Sequence, residues 1–192
     1  MPTDPISALH AAIVARLREK LPAKRWTIEL VPYALTVEDF KRLMRTTPWI
    51  GIAWRGFAPD KASGRSTAGP LLFTVTVCTK NTGINGRHLG DAVGPGLYPS
   101  AMLVAALLSG LTVRDVGTLR CTAVAPAYAD GVGDMDAGLA AIECEAHVDL
   151  GDFLADPAAL DDFATLVTSW DFTPDGTTEG EPTDTITLPE AP

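Results

Sequence analysis

Glu143, Glu145, His147 and Asp149 recur at every second position, and this row is the most chemical-looking feature of the chain. A spacing of two along a strand puts all four side chains on one face, where two carboxylates and an imidazole could hold a divalent metal. Yet four ligands in line on one strand span about 20 Å at ~3.3 Å per residue, too far to converge on one ion. A strand with one solvated side shows the same alternation, here with Ile142, Cys144, Ala146 and Val148 turned to a core. A charged surface, facing solvent or lining something, is the plainer reading.

The remaining candidates are sparse. Of the three histidines, His10 falls beside the apolar stripe of a helix, and His88 sits in the run Gly86-Arg87-His88-Leu89-Gly90. A loop histidine can act as a base or ligand, but no G-x-S-x-G, C-x-x-C or H-E-x-x-H accompanies it. The glycines from Gly83 to Gly96 suggest a phosphate cradle only weakly. Gly94-Pro95-Gly96 has no Walker lysine, and Pro95 removes an amide donor. Trp26, Trp49, Trp54 and Trp170 alternate with apolar residues or follow a helix, which suits core or interface. Cys78, Cys121 and Cys144 are odd in number, widely spaced and in strand-like runs, the pattern of buried thiols in a reducing compartment. No cofactor or metal site is expected.

Composition narrows the class further. The chain has 192 residues, enough to bury a core without metals or disulfides, and 46% of them are hydrophobic. Its longest apolar stretch, Ala101 to Leu108, falls far short of the ~20 residues that cross a bilayer. The opening Met-Pro-Thr-Asp-Pro is unlike a signal peptide, so a cytoplasmic origin is expected. The formal net charge is −9, but six of the 24 acidic residues lie in Asp171–Pro192, where there is no basic one. The remaining 18 acidic and 15 basic groups make the body only −3. No cluster of Lys and Arg is present to attract a phosphate backbone.

The elements that must position these residues are legible in outline. Pro5 to Leu21 reads as an amphipathic helix, with Ile6, Leu9, Ile13, Leu17 and Leu21 on one stripe, Asp4 as N-cap and Pro5 at the first helical position. Trp26–Val31 is a short strand, Thr36 can cap a second helix, and Trp49–Trp54 is a buried strand. Leu71–Thr79 alternates Phe73, Val75 and Val77 against Thr74, Thr76 and Cys78. Long loops follow at 55–69 and 80–99. Ser100 can cap a helix over Ala101–Ser109 that is apolar almost all round, so Leu103 and Leu107 are expected in the core with Phe73, Val75 and Val77. Two strands, Thr118–Val124 and Leu139–Leu150, precede a last helix from Pro157 to about Trp170. The order α-β-α-β-β-α-β-β-α predicts an α+β fold in one domain over residues 1–170, with a small mixed or antiparallel sheet and helices packed on it. Residues 171–192, acidic and rich in Pro and Thr, are expected to be a disordered tail.

The sequence of segments resembles the small tail-completion proteins of Mu-like phages and prophages, thought to be tail terminators. Four runs carry the resemblance in order: the helix Ile6–Leu21 ending in Leu-Pro; Trp49-Ile-Gly-Ile-Ala-Trp-Arg-Gly56; Phe73-Thr-Val-Thr-Val77 with Thr79-Lys-Asn81; and Gly96-Leu-Tyr98 leading to Leu108-Ser-Gly110. They cover roughly Ile6 to Leu150. The acidic tail after Phe172 departs from the family, and the 55–70 loop is variable ground.

The resemblance implies a structural protein of the virion tail or neck, assembled in the host cytoplasm, and not an enzyme. Its partners would be further copies of itself in a ring, as a hexamer; the tail tube protein; and neck or head-completion proteins, with the sheath terminus another candidate. DNA would pass through the lumen unread, and Glu143, Glu145 and Asp149 could line it. Two other classes stand beside this one: a small metal-dependent or hydrolytic enzyme using His88 with Glu143, Glu145 and His147, and a head–tail adaptor, which would need a basic surface. The tail composition makes one prediction directly. A truncation ending at Trp170 should keep its melting temperature within a few degrees, and loss of cooperative unfolding would contradict it.

Overall fold

The two alternating segments of the sequence meet as the longest strands of the protein and pair over their full length. In the computed structural model, β3 (Ala68–Lys80) and β6 (Ala137–Asp149) run antiparallel from Ala68 opposite Asp149 to Lys80 opposite Ala137. The structure describes residues 4–33, 41–42, 44–46, 48–60, 67–127, 136–151, 165–169 and 183–187.

Around this pair lies a mixed six-stranded sheet. With β1 (Thr27–Leu30), β2 (Trp49–Phe57), β4 (Leu111–Val113) and β5 (Gly117–Pro126), its order is β1-β2-β3-β6-β5-β4. All pairings are antiparallel except β1 with β2. A parallel pair needs a crossover of a dozen or more residues. Residues 31–48 supply it and include helical turns at Lys41–Arg42 and Met44–Thr46. The rest of the helix expected after Thr36 lies outside the described residues. The mixed sheet with helices packed on it is the architecture that the element order predicts.

One face of the sheet carries the main core. Ile50 and Ile52 of β2, Phe73, Val75 and Val77 of β3, Leu119 of β5, and Ile142, Cys144, Ala146 and Val148 of β6 are all buried there. Two helices cover them. The first, α1 (Pro5–Arg18), is capped as its sequence suggests: Asp4 Oδ1 accepts from the Ser7 amide at 2.8 Å, and Pro5 opens the helix. It buries Leu9, Ile13 and Leu17. Arg18 donates to the Trp26 carbonyl at 2.7 Å and so holds the turn into β1.

The central helix, α3 (Leu97–Leu108), begins four residues before the expected start, with Gly96 rather than Ser100 as N-cap. Pro99 is tolerated there because it falls in the first turn, where amides have no intrahelical acceptor. Gly110, at φ +82°, ends it as expected. Arg16 of α1 donates to the Leu107 carbonyl at 3.2 Å, meeting a cation's preference for a helix C-terminus.

Leu103 corrects the sequence reading. It was expected in the core but is 41% exposed, whereas Leu107 is 9% exposed and buried. A helix that is apolar all round carries no signal for which stripe faces inward. Here Leu97, Ala101, Val104, Ala105 and Leu108 take the sheet side, and Leu103 turns out beside Met102.

Three shorter features also differ. A helix α2 (Ile84–Leu89) forms inside the loop expected over 80–99, and the strand β4 adds a pairing between the expected helix and the expected strand from Thr118. The helix expected over 157–170 is not what ends that segment. Thr165–Ser169 is a strand, β7, antiparallel to β8 (Thr183–Thr187), and the run Thr-Leu-Val-Thr-Ser has the β-branched content that favours this. The pair belongs to a second compact unit, Asp152–Pro192 with Met1–Pro2, distinct from Thr3–Gly151. The remainder of the expected acidic tail lies outside the described residues.

Packing of α3 sets a contrast that can be measured. Leu107→Ala should cost about 2–5 kcal/mol in urea unfolding, the range of buried Leu→Ala changes, while Leu103→Ala should cost under ~1 kcal/mol. Equal losses would mean that α3 is rotated from the orientation described here.

Candidate functional site

The second face of the sheet divides along β6. At one end Val31, Trp49, Ala53, Cys78, Ala137 and Leu139 form a small separate apolar cluster. From Glu143 to Asp149 the face is polar, as the alternation predicts. What the alternation could not show is that every one of these four side chains has a local partner.

Glu143 accepts from the Arg55 guanidinium of β2 and from Thr74 Oγ1 of β3 at 3.2 Å. The carboxylate holds Arg55 protonated even more firmly than usual, and the same guanidinium lies 5.3 Å from the centre of the Tyr33 ring, a cation–π contact. Glu145 pairs with Arg120 of β5 at 3.2 Å. His147 Nε2 lies 2.8 Å from Asp60 Oδ2. Asp149 accepts from Thr67 Oγ1 at 2.8 Å and from the Gly151 amide at 2.9 Å, and these donors hold its carboxyl below the usual carboxylate range. Glu143 and Glu145 thus face Arg55 and Arg120 while Asp60 and Asp149 face no guanidinium, so the described surface is mildly acidic rather than a bare wall of carboxylates.

Among the described residues the acidic strand and His88 are not brought together. Among the described residues no group of three or more His, Cys, Asp or Glu is placed to hold an ion. His88 lies in α2 with its ring 5.0 Å from that of Tyr98, and the neighbouring Arg87 packs near Gly138 at the start of β6. Five residues of strand, about 17 Å at ~3.4 Å each, separate Gly138 from Glu143. His10 is far from both in sequence and lies in α1, its pKa lowered by burial.

The glycine-rich segment is a folded loop. Asp91 accepts from Asn81 Nδ2 at 2.8 Å and from the amides of Val93 and Gly94 at 2.8 and 3.1 Å, and Arg87 pairs with Asp136 at 2.7 Å. A side-chain carbon on Gly86 would lie 2.5 Å from Asp91 Oδ2 and 2.6 Å from Asn81 Nδ2. A side chain there would displace the Asn81–Asp91 hydrogen bond, and the Val93 and Gly94 amides that a phosphate could use are already bonded to Asp91.

The feature that sequence reasoning missed is apolar. Tyr98, Met102 and Leu103 of α3 are 53%, 62% and 41% exposed, and Val124 of β5 is 41% exposed. Tyr98, Met102, Val124 and Pro126 share a groove of about 290 Å³ whose floor includes Leu97 and Ala140. Beside it, β4 pairs only with Gly117–Leu119 of β5, and no described strand covers the outer side of Arg120–Pro126. Thr122–Pro126 is exposed throughout and carries no charge. An uncovered strand presents outward-pointing amides and carbonyls, a template for pairing with another chain. The uniform hydrophobicity of residues 101–108 was the one available signal, since so small a sheet cannot cover every side of such a helix.

Among the described residues no helix is long and apolar enough to cross a membrane. No family model matches the chain, and no curated protein matches it. A chain in a structure titled "Virion of native gene transfer agent (GTA) particle" is similar to it at 14% identity and a TM-score of 0.47, over 76% of this chain and 98% of that one.

The pairing of Glu143 changes what its charge reversal should do. On sequence alone Glu143→Lys and Glu145→Lys should both leave folding nearly intact. With Arg55 opposite a half-buried Glu143, Glu143→Lys sets two cations against each other and should lower the melting temperature. Glu145→Lys, opposite the largely exposed Arg120, should do much less. The double variant Arg55→Glu/Glu143→Lys should recover most of the loss, with a coupling energy of roughly 1 kcal/mol. No recovery would mean the pair is not what orders this face.

Proposed function

We propose that the chain is a structural ring subunit, a tail terminator of a phage-like particle that caps the last ring of a tail tube and joins it to the neck or head-completion proteins. The observation that carries this reading is the exposed apolar surface of α3 and β5 beside an uncovered strand edge. Apolar surface grouped around a groove marks an interaction site more often than scattered apolar side chains do. The order of segments resembles that of the tail-completion proteins of Mu-like phages, and on that resemblance the partner is the next copy in a ring. Such head-to-tail contacts close by cyclic symmetry, with six copies in that family. The alternatives are less well supported. The enzyme reading needs His88 beside the acidic strand, and an adaptor gripping DNA needs a basic surface.

In this ring the charged face of β6 lines or approaches the lumen. Its internal ion pairs suit that position. Each free Lys or Arg would add sequence-independent affinity for phosphates and slow the passage of DNA, whereas Arg55 and Arg120 are already engaged by carboxylates. The small negative excess repels within a Debye length of about 8 Å at physiological salt.

Electron microscopy of the purified protein, alone and with its tail tube protein, tests the ring. Closed rings, or tubes capped at one end, are expected. Met102→Glu and Val124→Lys should abolish them while leaving the melting temperature within a few degrees, because both side chains are exposed in the single subunit. A protein that stays monomeric at high concentration and never caps tubes would defeat the terminator reading. A ring with Glu143 and Glu145 on its outer rim would defeat only the lumen assignment.

A further inference from the structure

Cys121 and Cys144 are 23 positions apart in sequence and opposite one another in space. They are register partners on β5 and β6, and their sulfurs lie 3.5 Å apart. Antiparallel register partners have Cα atoms about 4.5–5.5 Å apart, inside the ~4.4–6.8 Å range that disulfides span. Closing the gap to an S–S bond of about 2.05 Å needs a movement of roughly 1.5 Å. The local backbone can supply it, because the ladder is interrupted by a bulge between Cys121 and Ala123, where the strand is bent and less tightly paired.

We propose that Cys121 and Cys144 form a dithiol that a disulfide oxidant converts to a cross-strand disulfide, stapling β5 to β6. All three cysteines are thiols in this structure, and the fold is complete without the cross-link. The two sulfurs differ in role. Cys121 is half-buried and so within reach of an oxidant, whereas Cys144 is 2% exposed. The two sulfurs are within hydrogen-bonding distance of each other, and the Cys121 thiol also donates to the Ala105 carbonyl at 3.3 Å. Cys121, the more exposed of the two, is the thiol that meets the oxidant first, and buried Cys144 is the resolving thiol.

The chemistry balances as ordinary thiol–disulfide exchange. The Cys121 thiolate attacks one sulfur of the oxidant RSSR; the oxidant's S–S bond breaks and one RS⁻ leaves, taking up the proton that Cys121 lost. Cys144 then gives up its proton and attacks Cys121 Sγ, expelling the second RS⁻, which is protonated in turn. Two protein thiols are oxidised to one disulfide, and one RSSR is reduced to two RSH. The second step needs no solvent access, because the attacked sulfur is already in contact.

Cys78 provides an internal control. It is fully buried in the smaller apolar cluster on the opposite face, and burial pushes its pKa up to about 12. It should neither react nor exchange. The cross-link does not depend on the ring reading, but it would suit a subunit that folds in a reducing cytoplasm and is later released into oxidising surroundings.

The test uses the purified full chain, reduced and then exposed to oxidised glutathione without denaturant. Intact mass should fall by two hydrogens, peptide mapping should recover a single Cys121–Cys144 link, and dithiothreitol should reverse it. The oxidised form should melt several degrees higher. Cys144→Ser should stop at a glutathione adduct on Cys121, and Cys121→Ser should stay unmodified. In urea, links involving Cys78 should appear as well. A native protein that keeps three thiols, or that links Cys78, overturns the proposal. So does a wild-type chain that accumulates only a stable glutathione adduct on Cys121. None of these wild-type readouts requires the variants to fold.

Discussion

The pairing of β3 with β6 is the constraint on which the rest of the structure depends. The two strands match residue for residue from Ala68–Asp149 to Lys80–Ala137, without a bulge. Side chains alternate with a period of two, so a slip of one residue would turn every core side chain to the other face. In this register Phe73 lies opposite Cys144 and Val75 opposite Ile142 on the helix side, while Thr74 meets Glu143 on the other. The irregularities are displaced to the flanking strands, at Trp54/Gly56 in β2 and Cys121/Ala123 in β5.

This division of faces separates the tasks. The helix side is dry and holds α1 and α3 through Leu9, Ile13, Val104 and Leu108, and it supplies most of the burial that stabilises the fold. The opposite side holds charge at little electrostatic cost, because Glu143 and Glu145 each face a guanidinium from a neighbouring strand. Such partly exposed pairs contribute modestly to stability. Their larger effect is on the field that the surface presents, which is weaker than the count of carboxylates suggests.

The α3 helix spans both roles. Its inner residues fill the core, and its outer ones, Tyr98 and Met102, reach solvent next to the β5 edge. In the ring proposed above, contact with another copy would bury that surface, and burial of apolar area is the dominant favourable term in most protein association.

Much was settled by local pattern. Asp4-Pro5 and the stripe from Ile6 to Leu21 specify α1, alternation specifies β3 and β6, and Gly110 specifies where α3 stops, because each rests on a few neighbouring residues and the period of one element. The polar row Glu143–Asp149 was legible for the same reason. Its partners were not: Arg55, Asp60, Thr67, Thr74 and Arg120 come from other segments, and only register brings them opposite β6. The same holds for Cys121 beside Cys144, which strand pairing alone places in contact. Leu103 was assigned to the core because composition reports that α3 is apolar but not which stripe the sheet covers. Local periodicity encodes how each element forms. Which faces, edges and thiols meet depends on contacts between distant segments, and those exist only in the folded chain.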